Sequence, residues 1–142
     1  MSRPRRPIVV DHVTLVVRDL AASRRFFTAA LAPLGLRCLT PDGPDVDGAI
    51  GFGLDAVDDF AIVPAGEVRP TTTAHVAFLA PDRAAVDAFY RAALEAGGRS
   101  RIEPRVHQDY SPKDYSPRYY AAFVDDPDGN NIEAVHHGDP EP

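Results

Sequence analysis

The chain repeats itself. Moved along by about 63 positions, the sequence falls on its own second half with roughly ten identities over two dozen positions and no gaps. His12 meets His75 and Val13 meets Val76. Asp19 meets Asp82, Ala21-Ala22 meet Ala84-Ala85, and Phe26 meets Phe89. Ala29-Ala30-Leu31 meet Ala92-Ala93-Leu94, and Gly35 meets Gly98. A histidine, a helix cap, an aromatic and a terminal glycine therefore recur in order. A duplicated unit of this length must bury one apolar face against its copy, so the repeat constrains the fold more than any single motif.

Each copy opens on a strand signal. Ile8 to Val17 is a β-branched run, and His75 opens the apolar run Val76 to Ala80. Asp19 and Asp82 are N-caps before helix formers with apolar residues at helical spacing: Phe26, Phe27, Ala30, Leu31 and Leu34, then Val86, Phe89, Tyr90, Ala93 and Leu94. Pro33 with Gly35 closes the first helix, and Gly97-Gly98 the second. Three shorter strand signals follow each helix. In the first half they are Leu36 to Leu39, Ala49 to Leu54 and Phe60 to Val63. In the second they are Ser100 to Val106, Tyr119 to Val124 and Asn131 to His136. The turn Asp125-Asp126-Pro127-Asp128-Gly129-Asn130 joins the last two into a hairpin. The expected organisation is one α+β domain over residues 8–137, with modules 8–66 and 73–137 and tails at 1–7 and 138–142.

Composition narrows the function classes. The 142 residues carry 44% hydrophobic and 25% charged side chains, an ordinary globular balance. No apolar run reaches membrane-span length, so no membrane partner is expected. The net charge of -6 argues against a nucleic-acid partner held through phosphates. Cys38, the single cysteine, has no internal disulfide partner, which points to a reducing, cytoplasmic setting.

His12, His75 and Glu133 each interrupt an otherwise apolar strand. Side chains alternate along a strand, so Glu133 shares its face with Asn131 and Val135, and His12 shares its face with Val10 and Thr14. A strand histidine is commonly a hydrogen-bonded core residue. A buried carboxylate, however, needs a partner or a metal. Two histidines at duplicated positions and one strand carboxylate would make a three-ligand site with open positions, suited to Fe, Mn, Zn or Ni. Spacing alone leaves both readings open.

The segments Asp11-His12-Val13-Thr14-Leu15-Val16-Val17 and Ala74-His75-Val76-Ala77-Phe78 resemble the opening strands of the vicinal oxygen chelate superfamily. Phe123 to Glu133, with its Asp-Pro-Asp-Gly-Asn turn, resembles that superfamily's closing hairpin. This superfamily holds glyoxalase I, extradiol dioxygenases and bleomycin-resistance proteins. The resemblance implies two βαβββ modules forming an open, cup-shaped mixed sheet, and a homodimer. It places a divalent metal ion on His12, His75 and Glu133. The expected function is then a metal-dependent enzyme acting on a small oxygen-chelating substrate by Lewis-acid catalysis, of lyase, isomerase or transferase type. The alternatives are an Fe(II) dioxygenase and a metal-independent drug-binding protein. The fourth ligand of glyoxalase I has no counterpart, because Ile62 is expected at that position.

Tyr119 and Tyr120 point to opposite faces of their strand, so one should face the cup as a general acid or hydrogen-bond donor. Arg105 and Arg118 are weaker candidates for holding an anionic substrate. His107 is expected in solvent, and Cys38 as a small core residue. Asp109-Tyr110-Ser111-Pro112 recurs as Asp114-Tyr115-Ser116-Pro117, a tandem polar loop that is either a lid or a lengthened surface loop.

Overall fold

The computed structural model describes residues 7–107 and 118–138; the tandem loop lies outside them. The first module runs β1 (Val13–Val17), α1 (Leu20–Leu31), β2 (Arg37–Cys38), β3 (Ile50–Gly53) and β4 (Phe60–Pro64). The second runs β5 (His75–Leu79), α2 (Arg83–Glu95), β6 (Arg99–Val106), β7 (Tyr120–Asp125) and β8 (Asn131–His136). Each module forms a four-stranded mixed sheet, ordered β1-β4-β3-β2 and β5-β8-β7-β6. The architecture is the α+β pair of βαβββ modules expected, and neither sheet is closed.

Local chemistry sets both helices. The Asp19 carboxylate accepts from Ala22 N, and the Asp82 carboxylate from Ala85 N, so each helix starts on a side-chain cap. Past α1, a single 3-10 turn over Ala32–Leu34 ends at Gly35, whose φ of 91° suits a residue without Cβ. One face of each sheet packs on the helices. Phe26, Phe27, Phe52, Phe60, Val86, Phe89, Val124 and Ile132 join one buried core shared by both modules. Each such fully buried phenylalanine contributes about 1.5–3 kcal/mol. The opposite face of each sheet carries no helix and is the open face; in the second sheet its residues Tyr119, Ala121, Phe123 and Val135 form a smaller buried cluster.

Two strand expectations change. The run Ile8–Val17 forms a strand only from Val13, because β4 begins at Phe60 and offers nothing for residues 8–12 to pair with. Ile8, Val9 and Val10 are left exposed, Ile8 by 89%. The run Leu36–Leu39 shortens to Arg37–Cys38, the two residues paired with Gly53 and Phe52.

The register also corrects the position matched to Glu133. β1 pairs with β4 through Thr14↔Ala61, and β5 pairs with β8 through Ala77↔Glu133. Ala61, not Ile62, is therefore the first module's counterpart. Ile62 points into the core and is fully buried. Neither side chain binds a metal, so the absence of a strand carboxylate stands on the corrected residue.

The closing turn ties the modules together. Asn130 donates through Nδ2 to the Thr71 carbonyl and accepts from Ala74 N, the residue before His75. Thr71 Oγ1 accepts from Val16 N on β1. Asp126 accepts from Asn130 N and Asp128 N. Burial pushes the Asp126 carboxyl above the usual range, against the pull of the Asn130 and Asp128 hydrogen bonds.

Candidate metal centre

β5 and β8 run parallel side by side, with His75 in register with Asn131 and Ala77 with Glu133. His75 and Glu133 thus project from one open face, one step apart on neighbouring strands. His75 Nε2 lies 2.8 Å from Glu133 Oε1. The Glu133 side chain is only 2% exposed, and that of His75 is 53% exposed. A carboxylate this deep needs donors, and a second one is present: Tyr119 donates its hydroxyl to Glu133 Oε2.

Aromatic rings wall the pair. Phe123 stands opposite Glu133 on β7, its ring centroid 6.0 Å from that of His75. The His107 ring packs edge-on against Phe123 at 5.3 Å and against Tyr119 at 6.2 Å. The His137 ring packs edge-on against Tyr119 at 5.1 Å. His107 is buried, not solvent-exposed as expected, and its Nε2 lies 3.3 Å from the Ala121 carbonyl. No signal in the sequence marks this, since His107 follows directly on β6 and its neighbours Val106 and Gln108 carry no periodic pattern. Asn131, beside His75 in register, has its Oδ1 buried with no hydrogen-bond partner among the described residues.

The other candidates fall elsewhere. His12 precedes β1, is exposed, and its Nδ1 lies 2.7 Å from the Asp11 carboxylate. The structure does not bring it to His75 and Glu133, and among the described residues no three metal-capable side chains come together. Tyr120 points to the helix side, where its hydroxyl donates to Asp87 at 2.6 Å and Arg83 stacks on its ring at 4.9 Å. Burial, aided by the Asp87 carboxylate, pushes its phenol up to about 12. Arg105 is exposed on the edge strand β6, and Cys38 is half-buried against Thr40.

The open face of the first sheet is arranged differently. Gly51 stands opposite Ala61, and a Cβ on Gly51 would lie 2.2 Å from the Asp58 carboxylate. A Cβ on Gly53 would lie 2.1 Å from the Val57 carbonyl oxygen. The loop between β3 and β4 therefore lies over this face, and the two glycines make room for it.

The model of the Glyoxalase/Bleomycin resistance protein/Dioxygenase superfamily matches residues 9–134. The chain belongs to this superfamily. Its fold recurs in a glyoxalase/bleomycin resistance protein from Albidiferax ferrireducens T118. That protein is 28% identical with a TM-score of 0.70, over 90% of this chain and 98% of that one. A superfamily enzyme from Burkholderia phytofirmans PsJN shares the fold at 15% identity, with a TM-score of 0.66 over 91% and 98% of the two chains. A glyoxalase I mutant from Zea mays shares it at 21% identity, with a TM-score of 0.62 over 92% of this chain and 46% of that one. A search of curated proteins returned no significant match. The His75–Glu133 pair lies on the first and last strands of its module, β5 and β8.

Proposed function

We propose that the chain is a divalent-metal-dependent enzyme acting on a small oxygen-chelating substrate by Lewis-acid catalysis, of lyase, isomerase or transferase type. The observation that carries this reading is the 2.8 Å approach of His75 Nε2 to a buried Glu133 oxygen beside the Phe123 ring. The donor set fits a metal. An imidazole nitrogen and a carboxylate oxygen converge from adjacent strands, and the half-exposed His75 leaves one side open to a substrate. A bound dication supplies a Lewis acid for a chelated oxygen. Holding it requires His75 to release any proton on Nε2. Tyr119 orients Glu133 by donating to its Oε2, and a bound metal would be held by Glu133 and His75. Phe123 stands opposite Glu133, His107 packs edge-on against that ring, and the carboxylate is buried beside them.

The third ligand in this reading is His12 from a second copy of the chain. β1 and β5 each pair on one side only, and Ile8, Val9, Val10 and Leu79 are exposed beside those edges. A bare apolar edge of this kind is normally covered. A homodimer that covers it brings an open face with His12 towards one with His75 and Glu133. The half-buried free thiol of Cys38 fits a reducing compartment.

A second reading is supported by one observation. His75, Glu133 and Tyr119 already satisfy one another, and His12 stands apart. That suits a metal-independent protein that binds a small molecule.

Elemental mass spectrometry on untagged protein purified without chelators separates the readings. About one zinc, nickel or manganese per chain, lost in His75→Ala, supports the Lewis-acid enzyme. Iron with oxygen uptake supports the dioxygenase. No metal, even after anaerobic reconstitution, supports the binding protein.

A further inference from the structure

The repeat makes the second helix a control for the first. On α2 the row Arg83, Asp87, Arg91 and Glu95 alternates in sign at four-residue spacing, so each charge has an opposite neighbour on its own helix. The matched positions of the first copy are Leu20, Arg24, Thr28 and Ala32, and α1 carries no acidic residue from Leu20 to Leu31. Arg24 stands where the copy has Asp87, and Arg25 follows it. Neither arginine has an ion pair among the described residues. Both line an open cleft of about 630 Å³ between α1 and the chain around and after β2, together with Thr28 and Pro41. Alanines of α1 and the half-buried Cys38 supply its apolar remainder. Arg24 is held in place there: its Nη2 donates to the Pro41 carbonyl at 2.5 Å, and its other N–H groups have no partner among the described residues. No carboxylate lines the cleft, although Asp42 follows Pro41 in the chain. In a protein of net charge -6, a cleft with two cations and no acid attracts an anion that the rest of the surface repels.

We propose that this cleft is a second small-molecule site, which takes a compact organic carboxylate with an apolar body. The planar guanidinium of Arg24, fixed on one side by Pro41, offers its free donors to the carboxylate. Arg25 adds a second positive charge and Thr28 a hydroxyl, and the apolar body lies against the alanines and Cys38. The volume falls within the roughly 300–1,000 Å³ of small-ligand pockets. α1 lies on the helix side of its sheet, whereas His75 and Glu133 lie on the open face of the second sheet. The inference therefore stands apart from the metal reading and does not rest on it.

The test is an amide-shift titration of the full, isotope-labelled chain at low salt with naphthoate and with its neutral counterpart naphthamide. Naphthoate is expected to shift the amides of Arg24, Arg25, Thr28 and Cys38 saturably, and to bind about tenfold tighter than naphthamide. Arg24→Gln, a good helix former on an outward-facing position, should weaken naphthoate by about tenfold and leave naphthamide within about twofold. Arg24→Asp, which copies in the residue of the matched α2 position, should weaken naphthoate further. Asp42→Asn removes the neighbouring negative charge and should tighten naphthoate by about twofold. Equal affinity for the two probes, or naphthoate binding within twofold of the parent in Arg24→Gln, overturns the proposal. So do shifts confined to the amides around His75 and Glu133, or no saturable shift on α1.

Discussion

Ala61 occupies in the first module the position that Glu133 occupies in the second. Both are the third residue of the parallel ladder that their strand makes with the first strand of its module, if the ladder is counted from His12↔Asp59 and His75↔Asn131. The duplicated histidines are retained, but only one module keeps a strand carboxylate. The chain is therefore asymmetric where its chemistry lies. The second sheet holds the His75–Glu133 pair, whereas His12 precedes β1 of the first and the Asp58 carboxylate lies over Gly51.

In the proposed metal reading Glu133 is a ligand and Tyr119 its support. Glu133→Gln keeps the side-chain shape and removes the charge, and should lower metal affinity more than Tyr119→Phe does. Tyr119→Phe leaves Glu133 Oε2 buried without its donor. That should cost about 1–3 kcal/mol of stability and weaken metal by ~10–100-fold. Urea melts and chelator competition on the two variants check both effects. Equal metal affinity in Tyr119→Phe and the parent would remove Tyr119 from the site.

Gly51 and Gly53 differ in what stands over them. Gly53→Ala drives a Cβ into the Val57 backbone carbonyl, 2.1 Å away, with Leu39 Cδ1 at 3.2 Å. The backbone must move, so a loss of about 1–3 kcal/mol is expected. Gly51→Ala meets only the end of the exposed Asp58 side chain, which can swing out. Its loss in a urea melt should be clearly smaller. The reverse order would mean that the loop is not seated on the first sheet's open face.

Tyr120 should mark the alkaline limb of stability. Its phenol is raised from 10.0 to about 12 in the fold, first by burial and then by Asp87. The unfolded chain thus loses this proton first as pH rises. The contribution is fully present below pH 10 and is lost as pH climbs through about 12. Tyr120→Phe should flatten stability over that interval. It should also cost about 1 kcal/mol at pH 7 through the lost hydrogen bond to Asp87. Denaturant melts at pH 7, 10 and 11 check it.

The fold was largely legible because each of its signals is local and repeated. The caps Asp19 and Asp82, the apolar helix faces and the closing turn each act within a few residues, and all recur or terminate a recurring unit. His75 and Glu133 were legible as polar interruptions of buried strands. Side-chain alternation alone required Tyr119 and Tyr120 to face opposite ways, and the structure puts Tyr119 on the Glu133 face. Ladder register was not legible. Phe60-Ala61-Ile62-Val63 has no polar marker to fix its phase, so the slip from Ala61 to Ile62 left no trace in the sequence. Nor was the length of the first strand, since Ile8, Val9 and Val10 have full strand propensity and lack only a partner. The seat of Asp58 depends on two glycines in another strand, a tertiary fact that the loop's own sequence does not carry.

The proposed metal site is shared by two copies of the chain, with His12 from one and His75 and Glu133 from the other. Metal content of an equimolar, refolded mixture of His12→Ala and His75→Ala tests it most directly. Each variant alone should hold little metal after chelator challenge. In a mixed dimer one site lacks both histidines and the other is intact, so the random mixture should recover about a quarter of the parent's metal per chain. A mixture that recovers no more metal than the two variants measured separately would contradict the shared site.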